Sequence, residues 1–293
     1  MERCDFLPVS AEEMHERGWW WYDALVVGGD AYVDHPSFGT AVISRVLEAE
    51  GLRVAVLAQP DWHDAEAFRA MGRPRLGVFI GAGNLDSMVA HYTAAKRRRS
   101  EDFYSPGKRT GCRPDRAAIV YCNRAREAFG PDMPIILGSL EASLRRFAHY
   151  DYWDDAVRRA ILFDAPADLL VYGMGEAATI EIARRLKKKQ SVRTMTDIPG
   201  TGYITRDPAV CKFDHITLPS FEDVRDDKRL YAEATRTEYA EHDPIRGRAM
   251  LQPCEGRCLV INPPAMPLDT KELDRVAELP YTREWHPMYE TLG

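Results

Sequence analysis

The chain has 293 residues, 45% apolar, 29% charged and 10% aromatic, with a formal net charge of −6; this length holds one large domain or two ordinary ones of globular composition. The acidic balance argues against a general nucleic-acid binder, which carries a positive footprint. No apolar run approaches the roughly 20 residues of a membrane-spanning helix, and residues 1–18, with Glu2, Arg3, Asp5, Glu12, Glu13 and Arg17, lack the apolar core of a secretory signal, so the expectation is a cytoplasmic protein with no membrane partner.

After an N-terminal segment (1–22), short apolar runs occur at 24–27, 54–57, 76–80, 134–137 and 168–172. Each is apolar on consecutive residues rather than alternating, the pattern of strands buried on both faces, as in parallel sheets. Helices are predicted between them over 38–50, 61–71, 84–95, 115–129 and 152–163, and a last one over 176–189. Lys187, Lys188 and Lys189 close that last helix where its dipole favours cations. Residues 96–114 interrupt the alternation and read as a long loop. The expected fold for 23–189 is α/β: a doubly wound, mainly parallel sheet of about five strands, of cobalamin-binding or flavodoxin type. Beyond 190 the alternation stops. Short strands are predicted at 202–205, 215–218 and 258–261, and one charged helix at 221–239, giving an α+β extension over 190–293.

Ligands of doubly wound sheets bind at the carboxyl ends of the strands. The residues there are Asp30, Asp34, His35, Ser37 and Gly39 after the first strand, and Gly81, Gly83, Asn84 and Asp86 after the third. Glu141, Arg145 and Arg146 follow the fourth, and Gly173, Gly175 and Glu176 the fifth. A glycine in any single loop serves to turn strand into helix. Taken as a set, the loops favour a ligand pocket, because glycines admit close backbone approach and helix N-termini offer free N–H groups. No Walker A motif is present, and neither Gly28-Gly29-Asp30 nor Gly81-Ala82-Gly83 completes the dinucleotide fingerprint.

Asp34-His35-Pro36-Ser37-Phe38-Gly39 departs from the Asp-x-His-x-x-Gly order that supplies a histidine to cobalt in cobalamin domains. That argues against a histidine-ligated corrinoid. Arg145 and Arg146 suit an anionic group and equally suit a salt-bridged turn with Asp151, Asp154 and Asp155. Lys96 to Arg99 reads as a solvated loop, and Trp19-Trp20-Trp21 as packing of the N-terminal segment. The six cysteines, Cys4, Cys112, Cys122, Cys211, Cys254 and Cys258, do not suggest a disulfide framework in a cytosolic chain. No catalytic residue and no metal ligand is assigned.

The stretches 29–39, 81–89, 141–155 and 170–176, with Asn262-Pro263-Pro264-Ala265 and Leu279-Pro280-Tyr281-Thr282-Arg283, resemble the N-terminal half of the YgiQ-like radical S-adenosylmethionine proteins. The resemblance runs from about Phe6 to the last residue. It implies that a radical S-adenosylmethionine barrel follows this part, with a CxxxCxxC motif binding a 4Fe–4S cluster whose open iron takes the cofactor. Cys254 and Cys258 give only the CxxxC half, since Ile261 stands where the third thiolate would be. The expectation is therefore a fragment that holds neither cluster nor cofactor itself and is inactive alone. It would position an unidentified substrate or ligand for a barrel in cis. Two further readings stand beside it. One is a stand-alone α/β module for a corrinoid or nucleotide. The other, ranked last, is a hydrolase or transferase using Asp34 and His35.

Overall fold

The computed structural model describes residues 5–292. In chain order the chain forms α1 (Ala11–Glu16), β1 (Ala24–Gly28), α2 (Gly39–Ala49), β2 (Val54–Ala58), α3 (Glu66–Arg69), β3 (Gly77–Ile80), α4 (Ser87–His91), α5 (Ala117–Phe129), β4 (Ile135–Leu137) and α6 (Ser139–Leu144). There follow β5 (His149–Asp151), β6 (Ala156–Arg158), β7 (Leu169–Val171), α7 (Glu176–Lys187), β8 (Thr201–Thr205) and β9 (His215–Thr217). The series ends with α8 (Phe221–Asp226), α9 (Lys228–Ala240), β10 (Ala249–Cys254), β11 (Arg257–Ile261) and α10 (Thr270–Ala277).

One sheet of nine strands runs in the order β2-β1-β3-β4-β7-β8-β11-β10-β9. The five strands at 24–28, 54–58, 77–80, 135–137 and 169–171 are mutually parallel. Their consecutive apolar residues fill two layers. Leu25, Val27, Val78, Ile80 and Leu137 pack beneath α5 on one face. Val26, Val54, Phe79, Ile136 and Val171 pack beneath α2 and α7 on the other. Burial on both faces is why these strands do not alternate.

The count of about five strands is corrected to nine, because the segment beyond 190 adds four strands to the same sheet. β8 lies antiparallel to β7, β11 antiparallel to β8, and β10 pairs antiparallel with β11 and parallel with β9. After α7 the chain does not turn straight into another parallel strand. Val192, Met195 and Ile198 bury along the α7 face, carrying the chain back to the far end of the sheet, so that β8 enters reversed.

Other expectations shift for local reasons. The helix expected over 152–163 is instead a hairpin, β5–β6. Asp151 accepts from the amides of Trp153 (2.8 Å) and Asp154 (3.2 Å), and Asp155 takes a left-handed φ of 50°. Side-chain capping of this kind competes with helix. The helix expected over 84–95 shortens to α4, and its cap is Asp86 rather than Asn84. The helix expected over 61–71 shortens to α3. The helix expected over 221–239 breaks at Asp227, whose side chain accepts from the Arg229 amide and caps α9.

Residues 281–289 return to the first strand. The Asp34 amide donates to the Glu284 carbonyl, and the His286 amide donates to the Tyr32 carbonyl. The Asp34 carboxylate is fully buried. It accepts from Arg45 Nε on α2 (3.1 Å) and from the Thr282 amide (2.9 Å). Breaking such a pair leaves an uncompensated buried charge. Arg45→Ala is accordingly expected to lower the unfolding free energy by about 3–5 kcal/mol, read as an earlier midpoint in urea denaturation with an unchanged slope.

Candidate functional site

The carboxyl ends of β1, β3, β4 and β7 lie side by side, so their loops form one edge. The reversal of strand order between β1 and β3 falls on this edge, where doubly wound sheets bind ligands. Two glycines permit the loops to close up. A Cβ on Gly29 would stand 2.0 Å from the Ala82 carbonyl oxygen. One on Gly83, at φ +112°, would stand 2.2 Å from Asp30 Oδ1. Through that contact Asp30 accepts from the Asn84 amide at 2.6 Å.

Much of the polar set on this edge is engaged with protein. Asp30 pairs with the fully buried Arg113 at 2.7 Å, and Arg113 also binds Asp102 at 2.8 Å. This ties the 96–114 loop to the first strand. Asp34 is taken by Arg45 and Thr282. His35 accepts the Ser37 amide at Nδ1 (3.1 Å). Asp34 and His35 are adjacent without being partners, so they form no acid–base pair. Asn84 donates to the Ser37 carbonyl (3.1 Å) and accepts from the Gly39 amide (3.2 Å), clamping the loop before α2. Asp86 caps α4 and pairs with Arg145. Glu141 is fully buried and accepts from the amides of Ser87 (2.8 Å) and Ala118 (3.0 Å), fixing the first turns of α4 and α5.

The other expected residues line a cavity. About 360 Å³ opens between the strand ends and helices α2 and α7. Val26, Phe79, Ile136 and Val171 form its floor, and Ser37, Gly39, Gly81, Gly83, Gly173, Gly175 and Glu176 stand on its lining. Sequence reasoning missed the α2 wall of Thr40, Val42 and Ile43 and, on α7, Thr179. Neither α2 nor α7 has a side-chain cap at its N-terminus. One Glu176 carboxylate oxygen and the Tyr281 hydroxyl are buried without a partner. Burial, then the Asp34 charge, pushes the Tyr281 hydroxyl up to about 12, so it remains a donor at neutral pH. The cavity lining is mostly apolar, so it suits a mostly apolar group. Met174, Leu140, Leu144 and Val89, from the β7, β4 and β3 loops, leave large apolar side chains exposed on the same edge.

Arg146 lies to one side, its guanidinium 5.0 Å from the Tyr172 ring centroid and 5.2 Å from that of Phe147, next to His242 of the loop after α9. Its Nε has no partner, and burial lowers its pKa from the ordinary value. Burial also pushes Glu238 on α9 up to about 7, against the opposing pull of Arg146.

The cysteines do not converge. Cys258 pairs with Pro253 and Cys254 with Arg257 across the β10–β11 hairpin, so the two thiols point to opposite faces, into separate core clusters. Cys122 lies on the buried face of α5, whereas Cys112 and Cys211 are partly exposed; Cys4 lies outside the described residues. Among the described residues no three His, Cys, Asp or Glu side chains gather as a metal site would require, and no helix is long and apolar enough to cross a membrane.

Residues 6–293 match the family model described as Radical SAM N-terminal. UPF0313 proteins of Clostridium botulinum (strain 657) and Clostridium perfringens (strain SM101) are each 52% identical over 293 residues. The match covers all of this chain but 46% and 44% of theirs. The chain thus spans less than half the length of the curated relatives it matches. Among solved structures, the radical S-adenosylmethionine methyltransferase TsrM of Kitasatospora setae is similar over 61% of this chain and 28% of its own. That similarity has 19% identity and a TM-score of 0.40.

The Glu238 environment sets a pH dependence. The folded group keeps its proton up to about pH 7, whereas the unfolded group loses it near pH 4.3. Its stabilising contribution is present below the unfolded value and is lost as pH rises through the folded one. Glu238→Gln should flatten the fall in melting temperature between pH ~5 and ~8 and raise the value at the alkaline end.

Proposed function

The chain belongs to the radical SAM N-terminal family, and from that premise we propose that it is the ligand-positioning domain of a larger radical S-adenosylmethionine protein of the YgiQ-like kind. The strand-end edge meets the radical-forming barrel supplied by the rest of the polypeptide. The cavity between α2 and α7 holds a substrate or ligand at that junction. The observation that carries this reading is the coincidence, on one edge, of the cavity mouth with the exposed side chains of Val89, Leu140, Leu144 and Met174. Scattered exposed apolar residues need no explanation, but a cluster beside a pocket marks an interaction surface.

The 4Fe–4S cluster does not fit the described residues of this chain. A cluster with an open iron needs converging thiolates, and Cys254 and Cys258 diverge across the sheet. Radical formation belongs to the remainder of the protein, and this chain orients the molecule it acts on. Within the cavity the ligand rests on the apolar floor, with the Glu176 side chain on the lining beside it.

A second reading, a self-contained binding module for a corrinoid or nucleotide, is favoured by one observation: α2 and α7 start at the cavity without side-chain caps, leaving free amides that suit a phosphate. His35 is absent from the cavity lining, so a corrinoid held there would not take a histidine ligand from it. Hydroxocobalamin would then bind without the visible-band shift of histidine coordination.

The domain reading is tested by expressing the remainder of the polypeptide separately and measuring its association with this chain by sedimentation. The two parts should associate, and Leu144→Asp combined with Met174→Asp should weaken the complex by about tenfold or more, some 1.4 kcal/mol. Equal association of the folded variant would contradict the proposed surface.

A further inference from the structure

Residues 96–99 are four consecutive cations, all solvent-exposed as a solvated loop would be, and they sit on an ordered turn. Tyr92 bridges to Arg98 in antiparallel fashion. The Thr93 amide donates to the Arg97 carbonyl (2.8 Å), and the Arg99 amide donates to the His91 carbonyl (2.8 Å). Lys96 takes a left-handed φ of 56° and donates from Nζ to the Trp153 carbonyl at 2.9 Å.

Between this turn and α4 lies a second cleft of about 510 Å³, lined by Arg97, Arg98 and Arg99 together with Leu85, Val89 and Phe103. The two carboxylates on its lining are engaged elsewhere. Glu101 stands 3.9 Å from Lys108, and both Asp102 oxygens bond Arg113. Among the described residues no ion pair involves the three arginines. Phe103 is 74% exposed at the rim, beside unneutralised guanidinium groups in a chain whose net charge is −6.

We propose that this cleft binds a nucleoside phosphate. Guanidinium groups match phosphate oxygens in geometry and charge, and the Phe103 ring, with Lys108 Nζ 5.2 Å from its centroid on one side, offers its remaining exposed face for a base to stack on. The volume lies within the range of about 300–1,000 Å³ usual for small-molecule sites. A long single strand would need a basic groove tracking its backbone. The positive charge here is limited to one turn and Lys108 at the Phe103 rim, so the small ligand is the better match. The site is separate from the cavity between α2 and α7 and does not depend on what fills that cavity.

The test is isothermal titration of the chain with ADP, pyrophosphate and a short oligouridylate, at low and high salt. ADP should bind more tightly than pyrophosphate, and both should weaken with salt. Replacing Arg97, Arg98 and Arg99 together with Gln should weaken both by about tenfold or more. Phe103→Ala should weaken ADP while leaving pyrophosphate within about twofold. If the triple variant does not fold, hydrogen exchange of the unmodified chain decides the matter: added ADP should slow exchange across residues 92–104. The proposal is overturned if ADP does not bind at millimolar concentration or binds the folded triple variant equally. It is also overturned if ADP protects the α2 and α7 cavity instead, or if only the oligouridylate binds.

Discussion

Arginine buried beneath a loop is costly unless its charge is matched and its donors are used. Arg45 meets that condition with all three nitrogens and Arg113 with both terminal ones, its Nε alone lacking a partner, and the edge takes its shape from them. Arg45 reaches from α2 to Asp34, and Asp34 also holds the Thr282 amide, so the last residues of the chain are stitched to the first strand. Arg113 reaches from the end of a long loop to Asp30 and Asp102, drawing that loop over the same strand. Glu141 adds a third anchor by joining the starts of α4 and α5. These contacts place the glycine loops and leave the cavity open between α2 and α7.

This division of labour separates residues that look alike in the sequence. Aspartates after a strand suggest ligand contacts, yet Asp30 and Asp34 serve arginines. The cavity lining is made instead by small and apolar residues and one carboxylate, Glu176. The arrangement accords with a domain that holds a molecule in place while chemistry is supplied from elsewhere. Val89, Leu140, Leu144 and Met174 stand exposed where the chain leaves β3, β4 and β7, while α2, α5 and α7 cover the faces of the sheet.

The parallel core was legible because strands buried on both faces must be apolar at every position, as at 24–27 and 76–80. Of the four later strands, β8, β9 and β11 match the strands expected at 202–205, 215–218 and 258–261, whereas β10 and the joining of all four to the same sheet were not legible. β9 is a His-Ile-Thr triplet at the sheet's end, and β10 includes Gln252 and Pro253, so neither carries a continuous apolar signal. The hairpin at 149–158 was hidden by aromatic and acidic residues that also suit a helix, and Asp151 decided it. Arg45 left a trace, since it interrupts the apolar face marked by Val42 and Val46. Arg113 left none, because it lies in a loop without periodicity and its partners are 83 and 11 residues away. The strand-end loops could be located from sequence. Which of their side chains face protein and which face a ligand depends on contacts across the fold.

The most direct measurement of the central claim is native-state hydrogen exchange of the unmodified chain, read at the amides of Ala31, Asp34, Asn84 and Thr282. Each of these amides donates within the strand-end network. If buried arginine–aspartate pairs lock the edge, these amides exchange only through opening events nearly as costly as global unfolding, together with the core of β1 and β3. Exchange orders of magnitude faster than the sheet core would show that the loops are mobile ligand-gripping segments, contradicting the account.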